Sequence, residues 1–324
     1  TLDILFAAPN ATMGLSQVRL HLDPTPTGFN VQAQGGSRLG PFAGTGRILL
    51  LPPGVDDVLF VDRLAVSGTV ASGRLAMPPG GFEGTLSVAG GGLSGALRFH
   101  PVGTVQQIVM SLDAANAQLA GATLRRGHLE ATLLLDPAGA SIDATASGQG
   151  LRQGRLSLAR FAGNAKLRGG TGEIRASIAG SRGRAFDVQT VIAVAPDRYT
   201  VSAQGTLDRR PLKLLEPAIV TRDGDGWQLA PTKLAFAGGE GSLAGRSADN
   251  ALAVDASLTR MPLAILDIGF PRLGLGGTAS GQIVYASRAG EAPTGRIDLK
   301  IGRARVGKEW RARCAPCPSR KKCT

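Results

Sequence analysis

Apolar and polar side chains alternate with a period of two along nearly the whole chain, the signature of strands with one buried and one wet face. Val18, Leu20 and Leu22 alternate with Arg19 and His21, and Phe29, Val31 and Ala33 alternate with Asn30 and Gln32. Asp23-Pro24-Thr25-Pro26-Thr27-Gly28 between them reads as a turn. Leu129, Ala131 and Leu133 repeat the pattern against His128, Glu130 and Thr132. Ile142, Ala144 and Ala146 follow after the turn residues Asp136-Pro137-Ala138-Gly139.

The alternation continues through Ile174, Ala176 and Ile178, through Leu252, Val254, Ala256 and Leu258, and through Ile297, Leu299 and Ile301. Runs of this kind recur roughly every 10–15 residues, too close together for parallel crossovers, so an antiparallel meander is expected. The 46 glycines and the 4% aromatic content suit short strands joined by tight turns. A drifting quasi-repeat joins Gly84-Thr85-Leu86-Ser87-Val88, Gly95-Ala96-Leu97-Arg98-Phe99 and Gly241-Ser242-Leu243-Ala244-Gly245.

Three segments read as short helices. Thr104 and Gln107 form a capping box before Val105, Ile108, Leu112 and Leu119, a stretch that also fits a strand. Met261 to Ile268 carries Pro262 in its first turn and Pro271 beyond its end, and Pro211 to Leu215, closed by Pro217, is a weaker copy.

Charge and motif content exclude several functions. The net charge of +12 is spread over single arginines such as Arg19, Arg47, Arg155, Arg175 and Arg296, with little aromatic interleaving, so nucleic acid is not expected as a partner. His21, His100 and His128 lie far apart without nearby ligand-spaced Cys, Asp or Glu, and read as solvated residues rather than metal or catalytic ones. Gly90-Gly91-Gly92-Leu93-Ser94-Gly95 matches G-x-G-x-x-G in letters but lies between two strands, so it is not a dinucleotide fingerprint. Asp223 and Asp225 sit in a glycine-rich loop, where turn-making is their ordinary role. No catalytic residue, no metal site and no cofactor is assigned, and the chain is read as a non-enzyme.

No apolar run reaches the roughly 18–20 residues that span a bilayer, and Thr1-Leu2-Asp3 does not open a signal peptide. The chain therefore reads as an internal or truncated piece whose anchor lies outside it. From Gly307 to Thr324 the alternation gives way to a basic segment with Cys314, Cys317 and Cys323, read as a disordered tail from a truncated or altered reading frame rather than a metal site.

The segment from Ala203 to Val306 carries an ordered series. It runs Gln204-Gly205-Thr206-Leu207, Pro211-Leu212-Lys213-Leu214, Gly226-Trp227-Gln228-Leu229-Ala230-Pro231 and Phe236-Ala237-Gly238-Gly239. It continues with Pro262-Leu263-Ala264-Ile265-Leu266, Leu273-Gly274-Leu275-Gly276-Gly277-Thr278-Ala279-Ser280-Gly281 and Ala292-Pro293-Thr294-Gly295. This series resembles the TamB family of AsmA-like bridge proteins, the inner-membrane-anchored subunit of the translocation and assembly module. Residues 1–200 share only its strand rhythm and composition.

The resemblance implies an all-β fold, an elongated curled antiparallel sheet (β-taco-like) of many short strands with a few short helices. It divides the chain into 1–200, an elongated antiparallel β region, 201–306, a TamB-like β region with a short helix at 261–268, and 307–324, the basic tail. About twenty strands at 4.8 Å spacing would extend on the order of 100 Å.

The implied function is a periplasmic bridge of the Gram-negative cell envelope that moves phospholipid between inner and outer membranes along an apolar groove. Leu129, Leu133, Ile142, Ile174, Ile178, Leu252, Val254, Ile297 and Leu299 are its candidate lining. The implied partners are phospholipid or another acyl-chain ligand, membranes at both ends, and an outer-membrane Omp85-type (TamA-like) protein docked through a region missing here. An N-terminal inner-membrane helix, absent from this chain, would supply the anchor.

The same family also implies an assembly factor for outer-membrane or autotransporter proteins. A β-helical adhesin is a third reading, without the stacked ladders it would need. Alternating faces fit a closed sandwich as well as an open groove, and the residues themselves leave that choice open.

Overall fold

A computed structural model describes residues 1–6, 15–37, 39–119, 121–136, 139–248, 250–268 and 276–302. The structure is nearly all β: among the described residues 80% are in strands and 1% helical. Its 22 strands belong to one antiparallel sheet. They are β1 (Leu2–Phe6), β2 (Ser16–Thr25), β3 (Gly28–Ser37), β4 (Gly40–Leu49), β5 (Asp57–Val66), β6 (Thr69–Met77), β7 (Glu83–Gly90), β8 (Leu93–Val102), β9 (Val105–Leu119), β10 (Ala122–Leu135) and β11 (Ser141–Gln153). The remainder are β12 (Leu156–Arg168), β13 (Thr171–Arg182), β14 (Arg184–Ala195), β15 (Arg198–Leu207), β16 (Arg210–Leu214), β17 (Ala218–Asp223), β18 (Gly226–Phe236), β19 (Gly239–Ala248), β20 (Ala251–Pro262), β21 (Thr278–Arg288) and β22 (Thr294–Gly302).

The chain forms two compact units. The first contains Thr1–Gly180 and Gln189–Pro196, the second Ser181–Val188 and Asp197–Thr324. The tail expected at 307–324 lies outside the described residues, as do Leu273, Gly274 and Leu275 of the family-like series.

Tight turns set the register. Gly90 pairs with Leu93 across Gly91 (φ 60) and Gly92 (φ 81), both left-handed, as a two-residue hairpin turn that matches strand twist requires. The glycine run that mimics a dinucleotide fingerprint is therefore the β7–β8 hairpin. The turn expected over Asp23–Gly28 is shorter than the sequence suggests: β2 runs to Thr25, and Thr25 pairs with Gly28.

Two of the three expected helices are strands. Val105 to Leu119 is β9, paired with β10 over Gln106 to Leu119 and with β8 over Val105 to Ala114. Ile108, Met110, Leu112 and Ala114 satisfy the strand period, and ladder bonds on both edges outweigh a local capping signal. Pro211 to Leu215 falls on β16, which pairs with the C-terminal part of β15 while β17 pairs with its N-terminal part. β18 meets both in turn, so Pro211 sits within the first of two half-length strands and Pro217 in the break before the second, where a helix was expected. The third expectation is partly met: β20 runs through Met261 and Pro262, and only Leu263–Ile268 forms a 3-10 turn.

Irregularities in the first unit bend the sheet. The registers of β4 with β5 and of β5 with β6 shift at Thr45/Gly46 and at Val61/Leu64. Such bulges kink a strand and raise its twist. Immediately beyond them lies the unit's densest core, Ala71, Leu75, Leu86 and Val88, packed by Leu59, Val61, Leu64, Leu97, Phe99 and Leu112. Every member comes from the five successive strands β5–β9. Leu75 and Leu86 are each only 4% exposed. A flat single sheet would leave such leucines open to water, so the apolar face here is folded towards itself.

The second unit has its own centre in Leu207, Phe236 and Met261, capped by Ala264 and Ile265 of the 3-10 turn. Phe236 is fully buried and Met261 is 1% exposed.

Candidate functional site: an apolar strip on the sheet

Register, followed strand by strand in the first unit, lays three cross-strand rows over β3–β12. One row runs Phe29, Ile48, Leu59, Leu75, Gly84, Phe99, Ile108, Leu133, Ile142 and Leu167. The next runs Val31, Gly46, Val61, Gly73, Leu86, Leu97, Met110, Ala131, Ala144 and Ala165, and the third Ala33, Gly44, Leu64, Ala71, Val88, Gly95, Leu112, Leu129, Ala146 and Gly163. No row contains a polar side chain. At about 4.8 Å per strand the strip extends on the order of 40 Å, and three alternate residues make it about 14 Å wide.

Next to these rows, large residues sit beside glycine on neighbouring strands. Phe42 lies over Gly35 and Phe161 over Gly148: a Cβ added to Gly148 would stand 2.5 Å from the Phe161 ring. Cross-strand pairing of an aromatic with glycine covers bare backbone with apolar surface.

The nine residues expected to line a groove fall as follows. Leu129, Leu133 and Ile142 lie in the rows, Leu133 directly opposite Ile142. Ile174 and Ile178 flank Ala176 at alternate positions on β13, and Ala176 shares the strip's face because its Cβ would lie 3.5 Å from one built on Gly163. In the second unit Leu252 and Val254 of β20 share a face with Ile297 and Leu299 of β22, joined through Tyr285, Ile283 and Gly281 of β21. Of the four, Leu252 and Ile297 are exposed, Ile297 at 71%, while Val254 and Leu299 are half-buried. Sequence reasoning omitted Leu75 and Leu86, each 4% exposed in the first unit's core. The signal for Leu86 was present in the repeat Gly84-Thr85-Leu86-Ser87-Val88, whose glycine and leucine sit at alternate positions on one face.

The opposite face is polar and carries paired charges. Arg47 contacts Asp62 at 3.1 Å, and the guanidinium carbons of Arg47 and Arg74 lie 5.3 and 5.9 Å from the Phe60 ring centre. A depression of ≈ 490 Å³ on this face is bordered by Arg98, Ser111, Glu130, Thr132, Asp143 and Thr145.

The three histidines, read from the sequence as solvated-face residues without ligand spacing, all have exposed side chains, and each meets a carboxylate across the ladder or along a strand. His21 Nδ1 lies 2.6 Å from Asp3 and its Nε2 3.1 Å from Asp23. His128 lies 2.8 Å from Asp113 and 3.4 Å from Glu130, and His100 lies 3.6 Å from Glu83. Register explains the miss: Asp3 stands opposite His21 and Asp113 opposite His128, pairs 18 and 15 residues apart in sequence. On His21 and His128 the two carboxylates sit on different ring nitrogens, which suits ion pairing to a protonated imidazole rather than a metal cage. Among the described residues no group of three or more His, Cys, Asp or Glu could hold a metal ion.

Hydrogen bonding to Asp3 raises the His21 pKa above the usual histidine value, and hydrogen bonding to Asp113 and then Glu130 does the same for His128. A raised folded-state pKa contributes stability that is fully present below about pH 6.5 and is lost as pH rises through the folded value. The denaturation midpoint is therefore expected to fall as pH rises above about 6.5. The His21→Asn/His128→Asn double variant should lack that part of the drop. An identical pH profile in the double variant would refute the coupling.

Comparison with family models, with curated proteins and with solved structures finds no match to this chain. No helix among the described residues is long and apolar enough to cross a membrane.

Proposed function

We propose that this chain is a non-enzymatic carrier surface for acyl chains, and that phospholipid moves along the apolar strip. The observation that carries this reading is the set of three rows without a polar side chain over ten successive strands. A strip of that length without internal polar steps lets a methylene chain slide without crossing a desolvated charge. Each buried methylene contributes about 0.8 kcal/mol, so contact is favourable where row residues stay accessible, outside the cluster of Ala71, Leu75, Leu86 and Val88 that already packs on itself. The polar face, with its Arg–Asp and His–carboxylate pairs, keeps the other side of the sheet in water.

The motif resemblance to TamB-like bridge proteins supplies the setting of this proposal, a periplasmic span between two membranes with an Omp85-type partner at the far end. The test is mass spectrometry of lipid extracted from the purified full chain, with a soluble β-sandwich of similar size as control. Phospholipid above the control is expected. Asparagine at Leu129, Leu133 and Ile142 together should reduce it while the far-ultraviolet circular dichroism stays β-type. Lipid at the control level would sink the carrier reading and favour the assembly-factor alternative, in which the sheet handles unfolded outer-membrane polypeptides.

A further inference from the structure

We propose that β22 is a self-complementary edge, on which a second copy of this chain adds antiparallel to form a two-fold dimer centred on Leu299. β22 is registered to β21 along one side. No pairing to its other side is found among the described residues. It is nine residues long, contains neither proline nor a register shift, and exposes Ile297 (71%) and Ile301 (55%). An edge of that length normally carries a device against pairing, such as a lysine, a proline or a bulge. Here the device is directional.

The sequence Ile297-Asp298-Leu299-Lys300-Ile301 is mirror-like about Leu299. In an antiparallel pair centred on Leu299, Asp298 of each copy faces Lys300 of the other, twice by symmetry. Ile297 faces Ile301, also twice, and Leu299 faces Leu299. Opposite charges directly across a ladder attract and like charges repel. Parallel in-register addition would instead set Asp298 beside Asp298 and Lys300 beside Lys300, so the charges select antiparallel pairing.

Antiparallel slippage by one residue would set Asp298 against itself and Arg296 against Lys300. An antiparallel pair centred on Ile297 would match Arg296 with Asp298 but would place Leu299 against Gly295, burying less apolar surface. The existing contact of Asp298 is with Arg296 of its own strand at 3.9 Å, both strongly exposed, and such a pair yields readily to a cross-strand partner.

The two-fold axis stands perpendicular to the sheet, so the copies keep Ile297, Leu299 and Ile301 on a common face. Isologous pairing of this kind uses up the edge on both copies and closes. A single pair of strands buries little area, so the dimer is a weak one. This inference is independent of lipid binding.

Sedimentation velocity of the full chain over a concentration series at low ionic strength tests it. A monomer–dimer equilibrium is expected. Asp298→Lys alone and Lys300→Asp alone should each weaken it about tenfold or more, since two attractive contacts become repulsive. The doubly exchanged Asp298→Lys/Lys300→Asp variant should dimerise like the parent. Asp298→Lys chains mixed with Lys300→Asp chains should form a heterodimer that neither forms alone. Asp298 and Lys300 are both exposed on β22, and circular dichroism checks that the fold persists. A parent chain that stays monomeric up to its solubility limit would overturn the proposal. So would a dimer indifferent to both reversals, and sensitivity to Asp298 without sensitivity to Lys300 would overturn the Leu299-centred register.

Discussion

Phe236→Ala is expected to lower the unfolding free energy of the second unit by about 3–5 kcal/mol, measured as a shift in the urea midpoint by circular dichroism. The ring is fully buried and is the largest side chain at the unit's centre, touching Leu207 and Met261 within a shell that includes Phe186, Leu212, Leu234, Leu258 and Ile265. Those contacts come from strands on both sides of β18 and from the 3-10 turn, so no one neighbour can move in to fill the void. Backbone constraints add to this. Phe236 pairs with Gly239 across the turn at Ala237 (φ 47) and Gly238 (φ 85), and a Cβ on Gly239 would lie 2.5 Å from the Arg260 carbonyl oxygen. The chain is thus pinned where the ring enters the core, and collapse around a smaller side chain is restricted. Phe82→Ala, at a residue that is 38% exposed, is the control and should cost less than half as much. Equal costs at the two sites would show that the centre of the second unit is not packed as described.

The strands were legible because alternation is a local signal, and nearly every apolar set read from the sequence falls on one face. Leu129, Ala131 and Leu133 stand opposite Ala146, Ala144 and Ile142 as the hairpin residues between them imply. What alternation does not encode is whether a segment with two periods will be helix or strand. Val105–Leu119 fits both, and the decision rests on the two open ladders that β8 and β10 offer it. Pro211 misled for the opposite reason: it sits in a five-residue strand whose ladder it can join only in part.

The candidate site was legible in kind and not in extent. Of the nine residues chosen from sequence, Leu129, Leu133 and Ile142 lie in the rows, yet the unbroken rows emerge only when glycines are counted with them. Gly84, Gly73 and Gly95 occupy row positions as fully as leucine does, and a hydrophobicity reading passes over them. Charge pairing was illegible for a related reason. His128 and Asp113 are neighbours only once β9 and β10 are in register.

Gly95→Ala is expected to cost about 3 kcal/mol or more, a large effect for one added methyl group. Gly95 is in β8 with φ +146, a conformation nearly confined to glycine, so any side chain is strained there before its neighbours are considered. Its Cβ would stand 2.1 Å from the Ser111 carbonyl oxygen and 2.9 Å from the Leu112 Cα, both backbone atoms of β9 that cannot rotate aside. Relief then requires β8 and β9 to separate or to change register. A slip by one residue would turn Ser94, Ala96 and Arg98 onto the strip in place of Leu97 and Phe99, because side chains alternate faces strictly. The variant should therefore lose both denaturant resistance and acyl-chain capture. Gly54→Ala, with φ +91 but nothing within 4 Å of its Cβ, isolates the conformational part and should cost about 1 kcal/mol. If the two substitutions cost the same, close approach at Gly95 is not what holds the β8–β9 register. If Gly95→Ala loses stability but still binds lipid like the parent, the strip is not the binding surface.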